Sequence, residues 1–188
     1  VLEADAETIE GAIRKIGRPV HLFGHSYGGR VALEVAQRRN VQLETLILFE
    51  PVIQGALSHQ PPEEFLDVSN SYEPFLRALT NYWGGDQAWD SLSASFRQQQ
   101  LKKGARIHLE VTQLSRDQVT PDEWASLTIP VLIIRGDYGH QDAEQMTQAL
   151  ADAIPTSTLK VIPDSAHMAP IVDARTVGMV VKTWLGLR

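Results

Sequence analysis

The chain has 188 residues, 43% hydrophobic and 21% charged, with a formal net charge of −6. These are the proportions of one globular domain able to pack a core, and the acidic balance argues against a nucleic-acid partner. There is no cysteine, which removes disulfides, thiolate nucleophiles and Cys-type metal sites and fits a cytoplasmic location.

No apolar run approaches the ~18 residues of a membrane span. The charged, amphipathic opening VLEADAETIEGAIRKIG does not read as a signal peptide, so no membrane partner is expected. Ala6, Ile9, Ile13 and Ile16 recur at helical spacing and predict a helix over 4–16, ended by Gly17 and Pro19. PVHLFG, residues 19–24, is a short apolar run bounded by turn residues, a strand. Val31, Ala32, Val35 and Ala36 mark a helix over 28–39. LETLILFEP (43–51) and IPVLIIRG (129–136) predict strands, residues 141–153 a helix stopped by Pro155, and TLKVIP (158–163) a strand. Val177, Val180, Val181 and Trp184 mark a final amphipathic helix. Strands apolar on both faces and alternating with helices predict an α/β fold, a parallel sheet covered on both sides.

Residues 54–127 interrupt this order and are too many for a plain loop. They carry three of the four tryptophans, Trp83, Trp89 and Trp124, and helical patterns at Leu76–Leu79 and Ile107–Val111–Leu114, without a convincing strand. They predict a helical insertion capping one end of the sheet within a single 1–188 domain.

Gly24-His25-Ser26-Tyr27-Gly28 fits G-x-S-x-G between a strand and a helix, the context in which that motif has meaning. A turn so sharp strains the central residue and requires glycine-like neighbours at ±2 to avoid clashes. It presents the Ser26 hydroxyl at the sheet's carboxyl edge, where free N–H groups and the dipole of the next helix favour negative charge. Tyr27 would give an oxyanion donor through its backbone N–H.

A serine nucleophile needs a base. Of six histidines, His167 in VIPDSAHMAP lies on the loop after the last strand, at the carboxyl edge that holds Ser26. His25 is expected to point away and pack. His21 reads as a strand histidine; His59 and His108 fall in the insertion, and His140 follows the third strand.

VHLFGHSYGGRVALEVA, LETLILFEPV, IPVLIIRG and LKVIPDSAHMAP together resemble the α/β-hydrolase fold superfamily from its nucleophile elbow to its final helix. The resemblance implies an eight-stranded, mostly parallel sheet, of which this chain carries the C-terminal part. It also implies a Ser-acid-His triad and hydrolysis of an ester, thioester or related bond. The family's usual acid stands three residues after the glycine that ends the strand before the last. Here that glycine is Gly136 and the position holds Gly139. The acid is then either Glu50, at the end of the strand after the elbow helix where some members place it, or Asp137 or Asp142. Glu50 is preferred, because a carboxylate ending an apolar strand is costly unless something there needs it.

The chain opens on the helix before the elbow strand, so the resemblance implies four earlier strands, roughly 60–100 residues at about 30 per βαβ unit. They would include the loop for a second oxyanion donor, and the chain is expected to be a fragment. Tyr82, Trp83 and Trp89 from the cap and Met168 beside the base are expected to line a pocket for a small to medium, mainly apolar substrate, with no metal or cofactor. The same residues leave open a non-catalytic binding protein, a carbon–carbon bond hydrolase and an acyltransferase; oligomeric state is not legible.

Overall fold

The computed structural model describes residues 1–65, 68 and 71–187. The amphipathic opening forms α1 (Leu2–Ile16), which enters β1 (Val20–His25), α2 (Tyr27–Arg38) and β2 (Leu43–Phe49). After the interruption come β3 (Val131–Gly136), α6 (Gln141–Ala153), β4 (Ser157–Ile162), the short α7 (Ala169–Val172) and α8 (Ala174–Trp184). Every strand and flanking helix between Leu2 and Ile162 falls within two residues of the sequence reading.

The four strands pair in the order β1-β2-β3-β4, all parallel. Strand period two sorts their side chains. Leu46, Leu48, Val131 and Ile133 pack under α2 and α6, with Leu33, Ala36, Met146 and Leu150. Ile47, Phe49, Leu132 and Ile134 face the other way, against Val177 of α8. Burial on both faces is why β2 and β3 read as unbroken apolar runs. α1 lies on α2, with Leu2, Ala6 and Ile13 against Val31 and Val35. β1 is the edge strand of this sheet, and its Phe23 is 42% exposed.

Register places the site. His25 pairs with Phe49, Phe49 with Ile134, and Gly136 with Ile162. In a parallel sheet these pairings align the carboxyl ends, so whatever follows each strand meets on one edge. The residues that follow include Ser26, Glu50, Asp137 and the loop to His167.

The interruption is helical, as expected: α3 (Tyr72–Gly84), α4 (Ala88–Ser91) and α5 (Ala94–Ser115), with no strand among its described residues. Phe65, Phe75, Leu76 and Trp89 give it a core of its own. Its flanks behave differently. Ile53, Leu114, Trp124 and Leu127 pack into the sheet's main core. Trp124, grouped with the insertion in the sequence, is fully buried with the sheet residues.

Candidate active site

Ser26 stands at the turn between β1 and α2 with φ 55 and ψ −124, a conformation that costs a non-glycine residue about 1–3 kcal/mol. Four backbone hydrogen bonds hold it there. Its N–H donates to the Phe49 carbonyl at 3.1 Å. Its own carbonyl accepts from the N–H groups of Gly29 at 2.9 Å and of Arg30 and Val52 at 3.3 Å. The glycines divide their work otherwise than the motif alone implies. A Cβ on Gly24 would lie 2.5 Å from the Gly28 carbonyl oxygen, so this position must be glycine; one on Gly28 would meet nothing within 4 Å. The second tight position is Gly29, where a Cβ would come within 2.7 Å of Pro51. Tyr27 is the first residue of α2, where backbone N–H groups lack intrahelical acceptors. Its hydroxyl turns away to donate to Asp5 at 2.6 Å.

Glu50 follows β2 with φ 40 and is 1% exposed. Both of its carboxylate oxygens are satisfied. Oε1 accepts from the Gly136 N–H at 2.9 Å and Oε2 pairs with His167 Nδ1 at 2.8 Å. A buried carboxylate with two such partners is stabilised where an unpaired one would not be. With Nδ1 engaged by the carboxylate, the proton belongs on that nitrogen and Nε2 keeps its lone pair. His167 is itself 4% exposed. Among the described residues no hydrogen bond joins Ser26 Oγ to His167, although both line one cavity; such contacts often tighten only when substrate is bound.

The other two candidate acids are elsewhere. Asp137 is exposed, and its backbone N–H ties β3's end to the Ile162 carbonyl. Asp142 is 1% exposed at the start of α6, where it accepts from the Tyr82 hydroxyl and contacts His59 Nε2 at 3.1 Å. His140 Nδ1 lies 3.6 Å from the same carboxylate, but that nitrogen accepts the Asp142 N–H at 3.2 Å and so carries no proton to share. Neither Asp137 nor Asp142 is paired with His167.

His25 does more than pack. Its Nε2 donates to the His167 carbonyl at 2.8 Å, and its ring lies 4.7 Å from the His167 ring. Burial, with a smaller contribution from His167, pushes its pKa down to about 3, so it stays neutral. His21 bonds Thr45 Oγ1 at 2.9 Å on β1, and His108 packs against Tyr72 and Phe75 in the insertion.

The cavity holding Ser26 and His167 measures about 350 Å³. Tyr82, Trp83 and Met168 line it. Trp89 does not: it is 1% exposed within the insertion's own core, on α4, none of whose residues lines the cavity. Trp83 goes further than lining, since its ring stacks on His167 with centroids 5.0 Å apart and planes 27° from parallel. That stack and the Tyr82–Asp142–His59 cluster escaped the sequence reading, because no spacing rule links an insertion helix to a sheet-edge loop. Among the described residues no group of three or more His, Cys, Asp or Glu is arranged to hold a metal ion, and no helix is long and apolar enough to cross a membrane.

A parallel sheet between helices, with a strained serine turn at its carboxyl edge, defines the α/β-hydrolase class. The chain belongs to the alpha/beta hydrolase family, whose sequence profile matches residues 2–178. It is 26% identical over 186 residues to the lipase LipV of Mycobacterium tuberculosis, covering 90% of this chain and 70% of that one. It is 22% identical over 187 residues to a putative 2-succinyl-6-hydroxy-2,4-cyclohexadiene-1-carboxylate synthase of Bacillus subtilis, covering 88% and 65%. Among solved structures, a bromoperoxidase from Bacillus anthracis superposes with a TM-score of 0.75 at 20% identity, over 96% of this chain and 72% of that one.

Proposed function

We propose that the chain is a serine hydrolase acting on the carbonyl of a neutral, mainly apolar ester. The observation that carries this reading is the buried Glu50–His167 pair set in the wall of the cavity that also exposes Ser26. Ser26 Oγ attacks the carbonyl carbon while His167 Nε2 takes its proton, and Glu50 stabilises the resulting imidazolium and holds its tautomer. The Tyr27 N–H donates to the oxyanion. The imidazolium then protonates the departing alkoxide, leaving an acyl-Ser26 ester. Water attacks that ester, gives its proton to Nε2, and the second tetrahedral adduct collapses to the carboxylic acid and free Ser26.

The cavity's lining favours a neutral substrate. Its walls are apolar side chains such as Leu57, Phe65, Leu79, Phe96 and Val111. Among the described residues no lysine or arginine lines it, and the carboxylates that do are Glu110 and Asp142. A carboxylate substrate would meet like charge at Asp142, and His59, whose pKa is raised, is already paired with that carboxylate at 3.1 Å. This supports a substrate of the lipase kind over the carboxylated ring in the name of the Bacillus relative.

The test is labelling by a fluorophosphonate probe together with turnover of p-nitrophenyl butyrate. Wild type should show both and Ser26→Ala neither. Labelling that persists in Ser26→Ala, or no labelling of either, would overturn the assignment.

A further inference from the structure

Asp142 lies outside the proposed triad, yet three separate segments converge on it. Tyr82, from the last turn of α3, donates its hydroxyl to Asp142 Oδ2. His59, from the loop between β2 and α3, contacts Oδ1 at 3.1 Å. His140, which caps α6 by accepting the Asp142 N–H, lies flat against the Tyr82 ring with centroids 3.9 Å apart. Asp142 itself is 2% exposed at the side chain and belongs to the sheet body rather than the insertion. The carboxylate is therefore a buried anchor to which the insertion is tied. Attachment to it lifts the Tyr82 pKa, chiefly through burial and then through the Asp142 hydrogen bond, so the hydroxyl keeps its proton and remains a donor.

The anchored residue is the neighbour of the one that matters for chemistry. Trp83 follows Tyr82 in the chain, its ring meets Tyr82 edge-on at 5.1 Å, and its face covers the His167 imidazole. Beyond Trp83 the helix ends at Gly84 and Gly85, the latter at φ 85.

We propose that Asp142, acting through the Tyr82 hydroxyl, positions Trp83 as a lid on the His167 imidazole, making the insertion part of the base's surroundings. This rests on the reading of His167 as the general base. Glu50 fixes the edge of the imidazole through Nδ1; Trp83 fixes its face. When Nε2 takes the serine proton, the ring becomes a cation beneath an indole π face, an arrangement that is attractive at this distance. The other titratable groups facing this pair are Glu50 after β2, His25 on β1 and His140 before α6.

Steady-state hydrolysis of p-nitrophenyl butyrate between about pH 5 and pH 8 tests the proposal. Trp83→Leu should lower kcat roughly fivefold with KM little changed, and its acid limb should lie about half a pH unit below that of Trp83→Phe. Leu and Phe both leave an apolar group over the imidazole and differ chiefly in the π face, so this comparison bears mainly on the π contribution. Trp83→Phe should recover most of the rate. Tyr82→Phe and Asp142→Ala should reproduce the kcat loss although neither touches His167. The spectroscopic signature is Trp83 emission, taken as the difference between wild type and Trp83→Phe: an imidazolium stacked on the indole quenches it, giving a step as pH falls. That step should persist in Ser26→Ala and vanish in Tyr82→Phe.

Wild-type kcat and pH profile in Trp83→Leu, or an unchanged emission step in Tyr82→Phe, would overturn the positioning role. Failure of the parent reading shows differently: Ser26→Ala would stay active while the emission step still reported the stack.

Discussion

Glu50 and His167 stand 117 residues apart and meet through a 2.8 Å hydrogen bond that spans the end of a third strand. Glu50 follows β2 and His167 follows β4, with β3 between them in the sheet. The intervening strand takes part, since the Gly136 N–H at its end binds the other carboxylate oxygen at 2.9 Å. One carboxylate thus ties three strand ends together and orients the imidazole.

Glu50→Gln keeps the shape and removes the charge. It should lower kcat/KM about 10³-fold or more, as loss of the orienting carboxylate does in other triads. Asp137→Asn should change it less than about twofold, since Asp137 is exposed. Asp142→Asn should cost only a few-fold, because the amide oxygen can still accept from Tyr82. A larger loss in Asp142→Asn than in Glu50→Gln would reverse the assignment of the acid.

The strand-to-helix serine turn and the four strands were legible because each is written in contiguous residues: glycines at fixed offsets, apolar runs of strand length. His167 was singled out by its place after the last strand. Glu50 against Asp142 was open, because both follow the same kind of sheet edge and only the side-chain partners separate them. Trp89 was misplaced for a related reason. An aromatic in a helical insertion can face the cavity or the insertion's own core, and α4 is too short at Ala88–Ser91 for periodicity to decide. The role of Gly29 was hidden because the motif records Gly28, whereas the crowding comes from Pro51, 22 residues further along the chain.

His25 makes stability depend on pH. Its pKa falls from the ordinary 6.5 to about 3, chiefly through burial. Between those values the unfolded chain binds a proton that the folded chain does not. The contribution is therefore complete above about pH 6.5 and is lost as pH falls toward 3, at up to about 1.4 kcal/mol per unit. His25→Gln retains a donor for the His167 carbonyl without a titrating ring. Urea midpoints measured near pH 7 and near pH 5 should fall more for wild type than for this variant. Equal falls would mean that His25 accepts a proton without unfolding.

Arg30 is a structural cation beside the elbow. It is 3% exposed, binds Asp117 at 2.7 Å and Glu34 at 3.1 Å, and lies over Trp124 with its guanidinium carbon 5.2 Å from the ring centroid. Through these contacts α2 holds the segment that returns from the insertion to the sheet. Arg30→Ala should destabilise the fold by about 3–5 kcal/mol, because Asp117 is left without its cation in a mostly buried setting, whereas Glu34 keeps Arg38 at 3.0 Å. Chemical denaturation measures this directly, and a loss under about 1 kcal/mol would show that water replaces the guanidinium.

The position where the family resemblance implies the usual acid can be tested as a swap. Gly139 stands there, and a Cβ built on it would lie 3.5 Å from Glu50 Oε1. Its φ lies outside the left-handed region, so a side chain fits without backbone strain. An aspartate at 139 and a glutamate at 50 would therefore reach for the same place beside His167. Two carboxylates at that separation repel, and one would be driven to hold a proton. Gly139→Asp alone should thus lower both stability and kcat/KM. Glu50→Gly should remove most activity, with the glycine accepting the φ of 40 more readily than any other residue. The double variant Glu50→Gly/Gly139→Asp should recover about tenfold or more over Glu50→Gly, as the new carboxylate takes up His167 Nδ1. Parallel pH profiles would show whether the acid limb returns with the rate. A double variant no faster than Glu50→Gly would mean that Glu50 does more than orient the imidazole, its bond to the Gly136 N–H being the part that an aspartate at 139 does not replace.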